Sequence, residues 1–391
     1  MSRHVGQQIL EKCILPFVDT SSWEFFDLSV HNRHQTGDAV LEEVVEAGLR
    51  LGVVCKEPTV TPTPSGLQGG QALPSANVVL RKRWRCFVIS RDTINVEGLA
   101  LGFQRQVLFD RQAVGGEYGA LSCVLGRGTV ELVFRERGGQ GQEQEQQPRV
   151  LASLELEDRE NAVVMYHNPF DDVVPLAHHF FSRCLEAGVR PIVVTKKTVF
   201  RWQEGFWQRM KTVYDEHYKH SFAQQGIHAG DLEHLLTDAA SMAIIKWKEG
   251  GFGMVAHNYD GDILTDEIAQ AHGNPGLVSS VITGMAESGR YIKQHEAVHG
   301  TAADQWSDHL EGRPTSFNPL GMLYAVIGAM QSAAKASGSH DRLIAFCSHL
   351  TRLLHQLISS GNCTSDLSPS GLSTDQFIDL VNLRLRKLLR R

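Results

Sequence analysis

The sequence lacks a long apolar run, an excess of positive charge and any internal repeat. No stretch is apolar over the length that spans a bilayer, and the first twelve residues, MSRHVGQQILEK, lack the apolar core of a secretory signal. A net charge of −6 gives no reason to expect a nucleic-acid partner. The chain does not end in a peroxisomal signal. We therefore expect a cytoplasmic location by default, with a mitochondrial one left open.

Clustered cysteines are also absent. The chain has seven cysteines and no C-x-x-C pair. An odd number of scattered cysteines is typical of reduced intracellular thiols, and it argues against both a disulfide framework and a cysteine zinc site.

The 391 residues are enough for two or more packed units, with 42% hydrophobic and 21% charged residues as in an ordinary globular protein. Early in the chain, apolar spacing of three and four predicts a helix over 38–52, followed by a strand from Val53 and a Pro/Gly-rich loop over 57–78. Residues 107–134 read as strands, and the low-complexity stretch 138–147 as a mobile hairpin tip.

The second half of the chain again alternates between helices and strands. Strands are predicted over 191–194 and 253–256. A helix over 231–248 is predicted to begin at Asp231 as its cap. The other predicted helices are 175–188, 205–220, 320–335 and 341–359. This alternation around a β-rich middle predicts an α/β protein.

An acidic segment, Asn-Tyr-Asp-Gly-Asp-Ile-Leu-Thr-Asp over 258–266, follows the second of these strands. If a helix begins near Leu264, one turn places the carboxylates of Asp262 and Asp266 on the same side. Mg²⁺ and Mn²⁺ prefer such oxygen ligands. The alternative is that Asp260 and Asp262 form turns while Asp266 caps a helix, and the pattern alone leaves both open.

Several motifs in order resemble the isocitrate/isopropylmalate dehydrogenase family, and most closely its homodimeric eukaryotic NADP-type isocitrate dehydrogenases. The longest is NYDGDILTDEIAQAHGNPGL over 258–277. The others are ILPFVD (14–19), TVTP (59–62), LRKRW (80–84), TKKT (195–198), EGGF (249–252), AVHGT (297–301) and RPTSFNP (313–319).

The resemblance implies an α/β fold with a large domain, a small domain and a β-rich clasp. The expected boundaries are 1–90 and 277–391 for the large domain, 91–115 and 165–276 for the small domain, and 116–164 for the clasp-like insertion.

The resemblance also implies a reaction, the NAD(P)-dependent oxidation and decarboxylation of isocitrate to 2-oxoglutarate. A Mg²⁺ or Mn²⁺ ion acts as a Lewis acid on the substrate. Asp262 and Asp266 match metal ligands from one subunit, and Asp238 matches a ligand from the other. We therefore expect a homodimer with shared active sites.

Further residues match the family's catalytic and substrate-binding positions. Tyr118 matches the tyrosine that protonates the enolate, and Lys196 matches the lysine that assists deprotonation of the hydroxyl across the dimer interface. Arg111 matches an arginine that grips the substrate carboxylates, and Thr61 lies at a substrate-binding position.

The expected cofactor-binding residues are Lys56, Thr59, His299, Gly300, Thr301, Asp304 and Asn318. NADP-type members carry a basic residue where this chain has Asp304. An acidic side chain accepts a hydrogen bond from the ribose 2′-hydroxyl of NAD and repels the 2′-phosphate of NADP. At about 4 Å and a dielectric near 20, that repulsion is about 4 kcal/mol, so we expect NAD.

One departure bears on the substrate. The family's Ser-x-Asn-Gly-Thr-x-Arg-Asn loop and a later arginine have no counterpart between Trp84 and Arg111, although Arg85 or Arg91 is available as a substitute. Either the stretch is truly short or a segment is missing from the gene model. Two alternatives to isocitrate turnover follow: a catalytically impaired paralogue that acts as a structural or regulatory dimer subunit, and a decarboxylating dehydrogenase of a smaller 2-hydroxy acid.

Overall fold

A computed structural model describes residues 1–60, 73–136, 147–338, 340–368 and 370–389. The chain divides into two compact units. The first combines Met1–Val114 with Pro169–Arg391, and the second is Gly115–Asn168.

The first unit is built on an eight-stranded mixed sheet in the order β1-β12-β11-β2-β3-β10-β8-β9. Strand β11 runs antiparallel to both neighbours, β2 and β3 are antiparallel, and the other pairs are parallel. Its strands are β1 (Val53–Lys56), β2 (Cys86–Asp92), β3 (Leu108–Gln112), β8 (Arg190–Thr195), β9 (Glu233–Leu236), β10 (Phe252–Ala256), β11 (Val281–Met285) and β12 (Tyr291–Glu296).

Helices cover both faces of this sheet, as an α/β protein requires to bury its strands. They are α1 (Ser2–Ile9), α2 (Val30–Gln35), α3 (Ala39–Leu51), α4 (Ala76–Arg83), α5 (Val173–Ala187), α6 (Gln203–Val213), α7 (Lys219–Gln224), α8 (Thr237–Lys246), α9 (Asn258–His272), α10 (Ala303–Leu310), α11 (Leu320–Ala336), α12 (Asp341–Ser359) and α13 (Thr374–Leu389). Among the described residues, no helix is long and apolar enough to cross a membrane.

Sequence signals account for several of these boundaries. Helix α3 ends at Gly52, whose φ of 79° is left-handed and therefore suits glycine. Helix α5 ends in the same way at Gly188, with φ of 65°. The apolar residues of β10 are fully buried, as expected for a strand with helices on both faces.

Separate apolar clusters hold the helices to the sheet. Helices α5 and α6 pack on one side through a cluster that includes Phe180, Phe181 and Phe206. Helices α8 and α9 contribute to another, which includes Ile244 and Leu264. A third cluster joins α1, α11, α12 and α13.

The second unit consists of two antiparallel strand pairs, β4 with β7 and β5 with β6. The strands are β4 (Leu121–Leu125), β5 (Gly128–Phe134), β6 (Arg149–Leu156) and β7 (Asn161–Met165). Many of their apolar side chains are exposed, including Leu121, Val124 and Leu154. Except for Gln147, the predicted hairpin tip over 138–147 lies outside the described residues.

Two predictions about helix starts are wrong. Residues 233–236 form the edge strand β9, parallel to β8, so the following helix begins at Thr237 and Asp231 does not cap it. Instead, the Asp231 carboxylate pairs with Lys219 at 2.7 Å. Helix α9 begins at Asn258 and not near Leu264, so the alternative of turns with a cap at Asp266 is also wrong.

Candidate active site

Two carboxylates of helix α9 form the centre of the candidate site. Asp262 and Asp266 are four residues apart inside this helix, and therefore project from the same side. The helix lies close to strand β3, because a Cβ on Gly261 would be only 2.5 Å from the Cβ of Arg111. Glycine at this position permits that close approach.

Two strand arginines face these carboxylates. From β3, Arg111 Nη2 lies 2.7 Å from Asp262 Oδ1, and Nη1 donates to Asn258 Oδ1 at 2.8 Å. From β2, Arg91 Nη1 donates to Asp266 Oδ1 at 3.0 Å and lies 3.6 Å from Asp262 Oδ1. The site thus places two cations and two anions together, against the two central strands of the sheet.

The arginine from β2 is one of the two candidate substitutes for the family's missing arginines. Helix α4 ends at Arg83 and β2 begins at Cys86, so only Trp84 and Arg85 connect them. Arg85 is exposed on this turn, with φ of 49°, whereas Arg91 contacts the carboxylates directly. Of the two candidates, the structure brings Arg91 to the site.

The carboxylates of α9 differ in their electrostatics. Desolvation and the neighbouring Asp262 raise the pKa of Asp266, against the opposing charge of Arg91. Burial works against ionisation of Asp260 as well, but contacts from His257 and Thr237 outweigh it and lower its pKa. Thr237 Oγ1 donates to Asp260 Oδ2 at 2.9 Å, which ties α8 to α9.

Asp262 and Asp266 suit a hard divalent cation as ligands, because both offer carboxylate oxygens on one helix face. Within the described residues, neither belongs to a group of three ligand atoms that lie within 4.8 Å of one another. Asp238, the third expected ligand, is therefore not assembled with them in the single chain.

Lys196 and Asp238 lie together. Lys196 follows β8, Asp238 is in the first turn of α8, and Nζ donates to Oδ1 at 2.5 Å. This hydrogen bond lowers the pKa of Asp238, whose side chain is exposed. The lysine backbone is held by Gln203, whose Oε1 accepts from the Lys196 N–H at 2.5 Å.

The expected cofactor residues of the His-Gly-Thr motif surround the start of α10. The His299 ring is 4.6 Å from the Phe317 ring, edge to face, and burial lowers the His299 pKa. The carbonyl of Gly300 accepts from Ser2 Oγ at 2.8 Å, and that of Thr301 from the Ser2 N–H at 3.3 Å. The N-terminal helix α1 therefore braces this motif.

Asp304 is exposed in the first turn of α10, where a carboxylate can meet a ligand. Asn318 is held at both ends of its amide: Nδ2 donates to Asp366 Oδ2 at 2.9 Å, and Oδ1 accepts from the Leu320 N–H at 2.9 Å.

The remaining predicted residues lie in three different settings. Lys56 is buried at the end of β1, with Nζ 3.3 Å from Glu296 Oε2. Thr59 is partly buried in the segment after β1, and Thr61 lies outside the described residues. Tyr118 belongs to the second unit, where it is exposed in a 3₁₀ turn over Gly116–Gly119.

A polar network on the opposite face of β2 and β3 was not foreseen. Arg183 of α5 forms ion pairs with both Asp92 and Asp110. Beside them, His179 Nε2 lies 3.2 Å from Ser90 Oγ. The sequence carries a signal for this network, because Asp92 follows Arg91 and Asp110 precedes Arg111, and successive strand residues point to opposite faces.

Known proteins resemble this chain along its whole length. The family described as isocitrate/isopropylmalate dehydrogenase matches residues 4–381. A protein of Phaeodactylum tricornutum named isocitrate dehydrogenase (NAD⁺) 1, mitochondrial, is 46% identical over 409 aligned positions, covering 100% of this chain and 73% of the relative.

Relatives named for NAD⁺ are more similar to this chain in sequence than those named for NADP. The mitochondrial isocitrate dehydrogenase (NAD⁺) of Ostreococcus tauri is 48% identical, covering 98% of this chain and 83% of the relative. The mitochondrial NADP enzyme of Bos taurus is 29% identical, covering 100% and 87%. The expectation of NAD from Asp304 agrees with this difference. The mitochondrial names give no support to the default of a cytoplasmic location.

A solved structure shares the fold. It is the crystal structure of isocitrate dehydrogenase from Ostreococcus tauri in complex with isocitrate and magnesium(II), with a TM-score of 0.90 and 47% identity, covering 98% of this chain and 96% of the other. This likeness confirms the predicted fold class. With the match over 4–381, it shows that the chain belongs to the isocitrate/isopropylmalate dehydrogenase family.

Proposed function

We propose that the protein oxidises and decarboxylates isocitrate to 2-oxoglutarate with NAD as the hydride acceptor and Mg²⁺ or Mn²⁺ as the bound cation. The observation that carries the proposal is the cluster of Arg91, Arg111, Asp262 and Asp266, where carboxylates for a cation lie beside guanidinium groups for a polyanionic substrate. The relatives named for NAD⁺ and the magnesium–isocitrate complex of the Ostreococcus tauri enzyme support it.

The chain's own residues divide the work. Asp262 and Asp266 hold the cation, which when bound supplies Lewis acidity toward the substrate oxygens. When the substrate binds, Arg91 and Arg111 leave Asp262 and Asp266, pair with the carboxylates of the substrate and orient it. Lys196 accepts the hydroxyl proton, and Tyr118 donates a proton to the enolate carbon. Thr61 contacts the substrate.

Each site takes residues from two chains of a homodimer, with Lys196 and Asp238 acting on the partner's Asp262 and Asp266. Two observations support this. Among the residues that the structure describes, Asp238 is not part of a three-ligand group. The helices near it also expose large apolar side chains, Met242 and Ile245 on α8 and Ile263 on α9, as expected of surface that a partner covers.

The cofactor residues remain part of this proposal. Asp304 accepts a hydrogen bond from the ribose of NAD, while Lys56, Thr59, Asn318 and the His299–Thr301 motif line the rest of the cofactor path. A mitochondrial location accompanies the function, on the strength of the relatives' names. The division into large domain, small domain and clasp at the boundaries given above also stays a prediction.

The direct test is reduction of NAD and of NADP by the purified chain with Mg²⁺ and isocitrate. We expect turnover with NAD to exceed that with NADP by roughly three decades in kcat/KM, the size of the expected repulsion. Asp304→Lys should lower the ratio of kcat/KM with NAD to kcat/KM with NADP. Asp304→Asn, which removes only the negative charge, should lower that ratio less. Absence of any reduced nucleotide would overturn the proposed reaction.

The shared site is tested by complementation. Lys196→Met and Asp262→Asn homodimers should both be inactive. In their mixed dimer one site carries both substitutions and the other carries neither, so random mixing should restore roughly a quarter of the wild-type activity. No recovery despite mixed dimers on a sizing column would contradict shared sites.

The two-residue connection Trp84–Arg85 favours a second candidate, a decarboxylating dehydrogenase of a 2-hydroxy acid with fewer carboxylates. Malate is the probe. Higher kcat/KM with malate than with isocitrate would favour this candidate, and no turnover of either by a well-folded dimer would favour the non-catalytic paralogue.

A further inference from the structure

Three metal-ligating side chains meet at a place away from the acidic helix. They are His4 of α1, His309 of α10 and Asp375 of α13, and one ligand atom from each lies within 4.8 Å of the others. His4 Nε2 is 3.5 Å from Asp375 Oδ1, and the two imidazole centroids are 4.5 Å apart. Helices far apart in the sequence thus converge on one point.

The surroundings of the cluster favour a ligand. Apart from its 3.5 Å contact with Asp375 Oδ1, the buried Nε2 atom of His4 has no hydrogen-bond partner among the described residues. Among the described residues, Asp375 likewise forms no ion pair with a lysine or arginine. The Trp306 ring stacks on His309 at 5.4 Å and 22°, which shields one side of the imidazole. A buried ring nitrogen that makes no hydrogen bond is costly unless a ligand takes up its lone pair or its proton.

We propose that His4, His309 and Asp375 bind a divalent transition-metal ion of the zinc class. Two imidazoles and one carboxylate suit borderline cations such as Zn²⁺, and water completes the coordination. Mg²⁺ prefers oxygen ligands alone, so this site differs in chemistry from the carboxylates of α9.

The geometry requires only a small closure. Ligand atoms about 2.0–2.2 Å from a zinc ion lie roughly 3–3.6 Å from one another. The observed 3.5 Å between His4 Nε2 and Asp375 Oδ1 already meets this spacing. The ligand atom of His309 lies within 4.8 Å of the other two, so an approach of roughly 1 Å brings it to the same spacing.

The bound ion links three helices, of which α1 and α13 share an apolar cluster while α10 contributes no buried residue. Helix α1 also holds the backbone of Gly300 and Thr301, and α10 begins two residues after Thr301. A metal at the cluster therefore fixes the N-terminal helix to the segment that carries the His-Gly-Thr motif.

The test is titration of the full chain with Zn²⁺ in the presence of excess Mg²⁺, which occupies the carboxylates of α9. We expect one Zn²⁺ per chain that is absent in His309→Ala and in His4→Gln. His31→Ala, which removes an exposed histidine of α2, is the matched control and should retain it. At a hundredfold excess over Kd, the thermal midpoint should rise by about 3 °C in wild type and control, and not in His309→Ala.

A second measurement keeps the proposal testable if a histidine variant folds poorly. Co²⁺ bound by two nitrogens and one carboxylate gives visible absorption bands, and Asp375→Asn should weaken Co²⁺ binding by more than the roughly 10–100-fold that loss of an outer-shell partner costs. Wild-type Zn²⁺ stoichiometry and affinity in folded His309→Ala, or unchanged Co²⁺ binding in Asp375→Asn, would overturn the site.

Discussion

The two faces of strands β2 and β3 carry the same kinds of charge with opposite placement. On the α9 face, the strands provide arginines, Arg91 and Arg111, and the helix provides carboxylates. On the α5 face, the strands provide carboxylates, Asp92 and Asp110, and the helix provides Arg183. Alternation along each strand sends neighbouring residues to opposite faces.

Exposure separates the two faces. The separation lies in the carboxylates: Asp110 is fully buried and Asp92 is 19% exposed, whereas Asp262 is 29% and Asp266 is 72% exposed. The arginines of both faces are mostly buried. Burial opposes the charge of Arg183, but Asp110 and Asp92 outweigh it and raise its pKa, so the cation persists. The α5 face is therefore closed and structural, and the α9 face remains open to exchange its internal partners for a ligand.

The largest expected effect is on the α9 face. Asp262→Asn removes a charged metal ligand, so we expect kcat/KM to fall by about 10³- to 10⁴-fold, equivalent to roughly 4–5 kcal/mol. Steady-state rates across a range of Mg²⁺ concentrations measure it. Asp215→Asn, in an exposed pair with Lys211, is the control and should leave the rate unchanged. Wild-type metal dependence in Asp262→Asn would remove this residue from the site.

The next effect is on the α5 face and concerns stability. Arg183→Met leaves Asp92 and Asp110 buried without their cation, which should lower the free energy of unfolding by roughly 3–5 kcal/mol in urea titrations. Arg313→Met removes an exposed arginine paired with Asp308, and should change the free energy of unfolding far less, because water screens an exposed ion pair. Equal losses in the two variants would contradict the distinction between the faces.

Local patterns in the sequence predicted much of the secondary structure. The helix predicted over 341–359 matches α12 in full, and the glycine ends of α3 and α5 were marked by Gly52 and Gly188. Strand β9 was missed because its leucines, with Leu232, are spaced like the apolar face of a helix. Hydrogen bonding to β8 decided its conformation, and such pairing is not a local property of the sequence.

The same limit applies to the site. The spacing of Asp262 and Asp266 suits one helix face, but the structure was needed to decide between that arrangement and turns with a cap; the motifs identified Arg111. The choice between Arg85 and Arg91 required the structure, because Arg91 reaches Asp266 across 175 positions of the chain. The pairing of Arg183 with two strand carboxylates likewise depends on how α5 packs against the sheet.

A smaller effect on catalysis tests the choice between Arg85 and Arg91 as the arginine that binds the substrate. Arg91→Met should lower kcat/KM for isocitrate by roughly 10–100-fold, since a charge-assisted hydrogen bond contributes about 1.5–3 kcal/mol. Arg85→Met, on the exposed turn before β2, should change it by less than about twofold. If Arg85→Met had the larger effect, the guanidinium that grips the substrate would be the one on the turn.

The smallest effect is a pH dependence of the α5 face. Burial, helped by the charges of Arg183 and Lys293, lowers the pKa of His179 to about 3. The unfolded chain, with a pKa near 6.5, therefore takes up the proton first as the pH falls. Stability from neutral His179 is complete above about pH 6.5 and is lost progressively toward pH 3.

At pH 5 this loss amounts to about 2 kcal/mol relative to pH 7.5. His179→Gln cannot take up the proton, so its free energy of unfolding in urea should fall by about 2 kcal/mol less over that interval than that of the wild type. His31→Gln, at an exposed histidine, should behave as the wild type does. Because His295 is also buried with its pKa lowered to about 4, some acid sensitivity should remain in His179→Gln. Parallel pH curves for wild type and His179→Gln would mean that the α5 face is more open to water than its burial indicates.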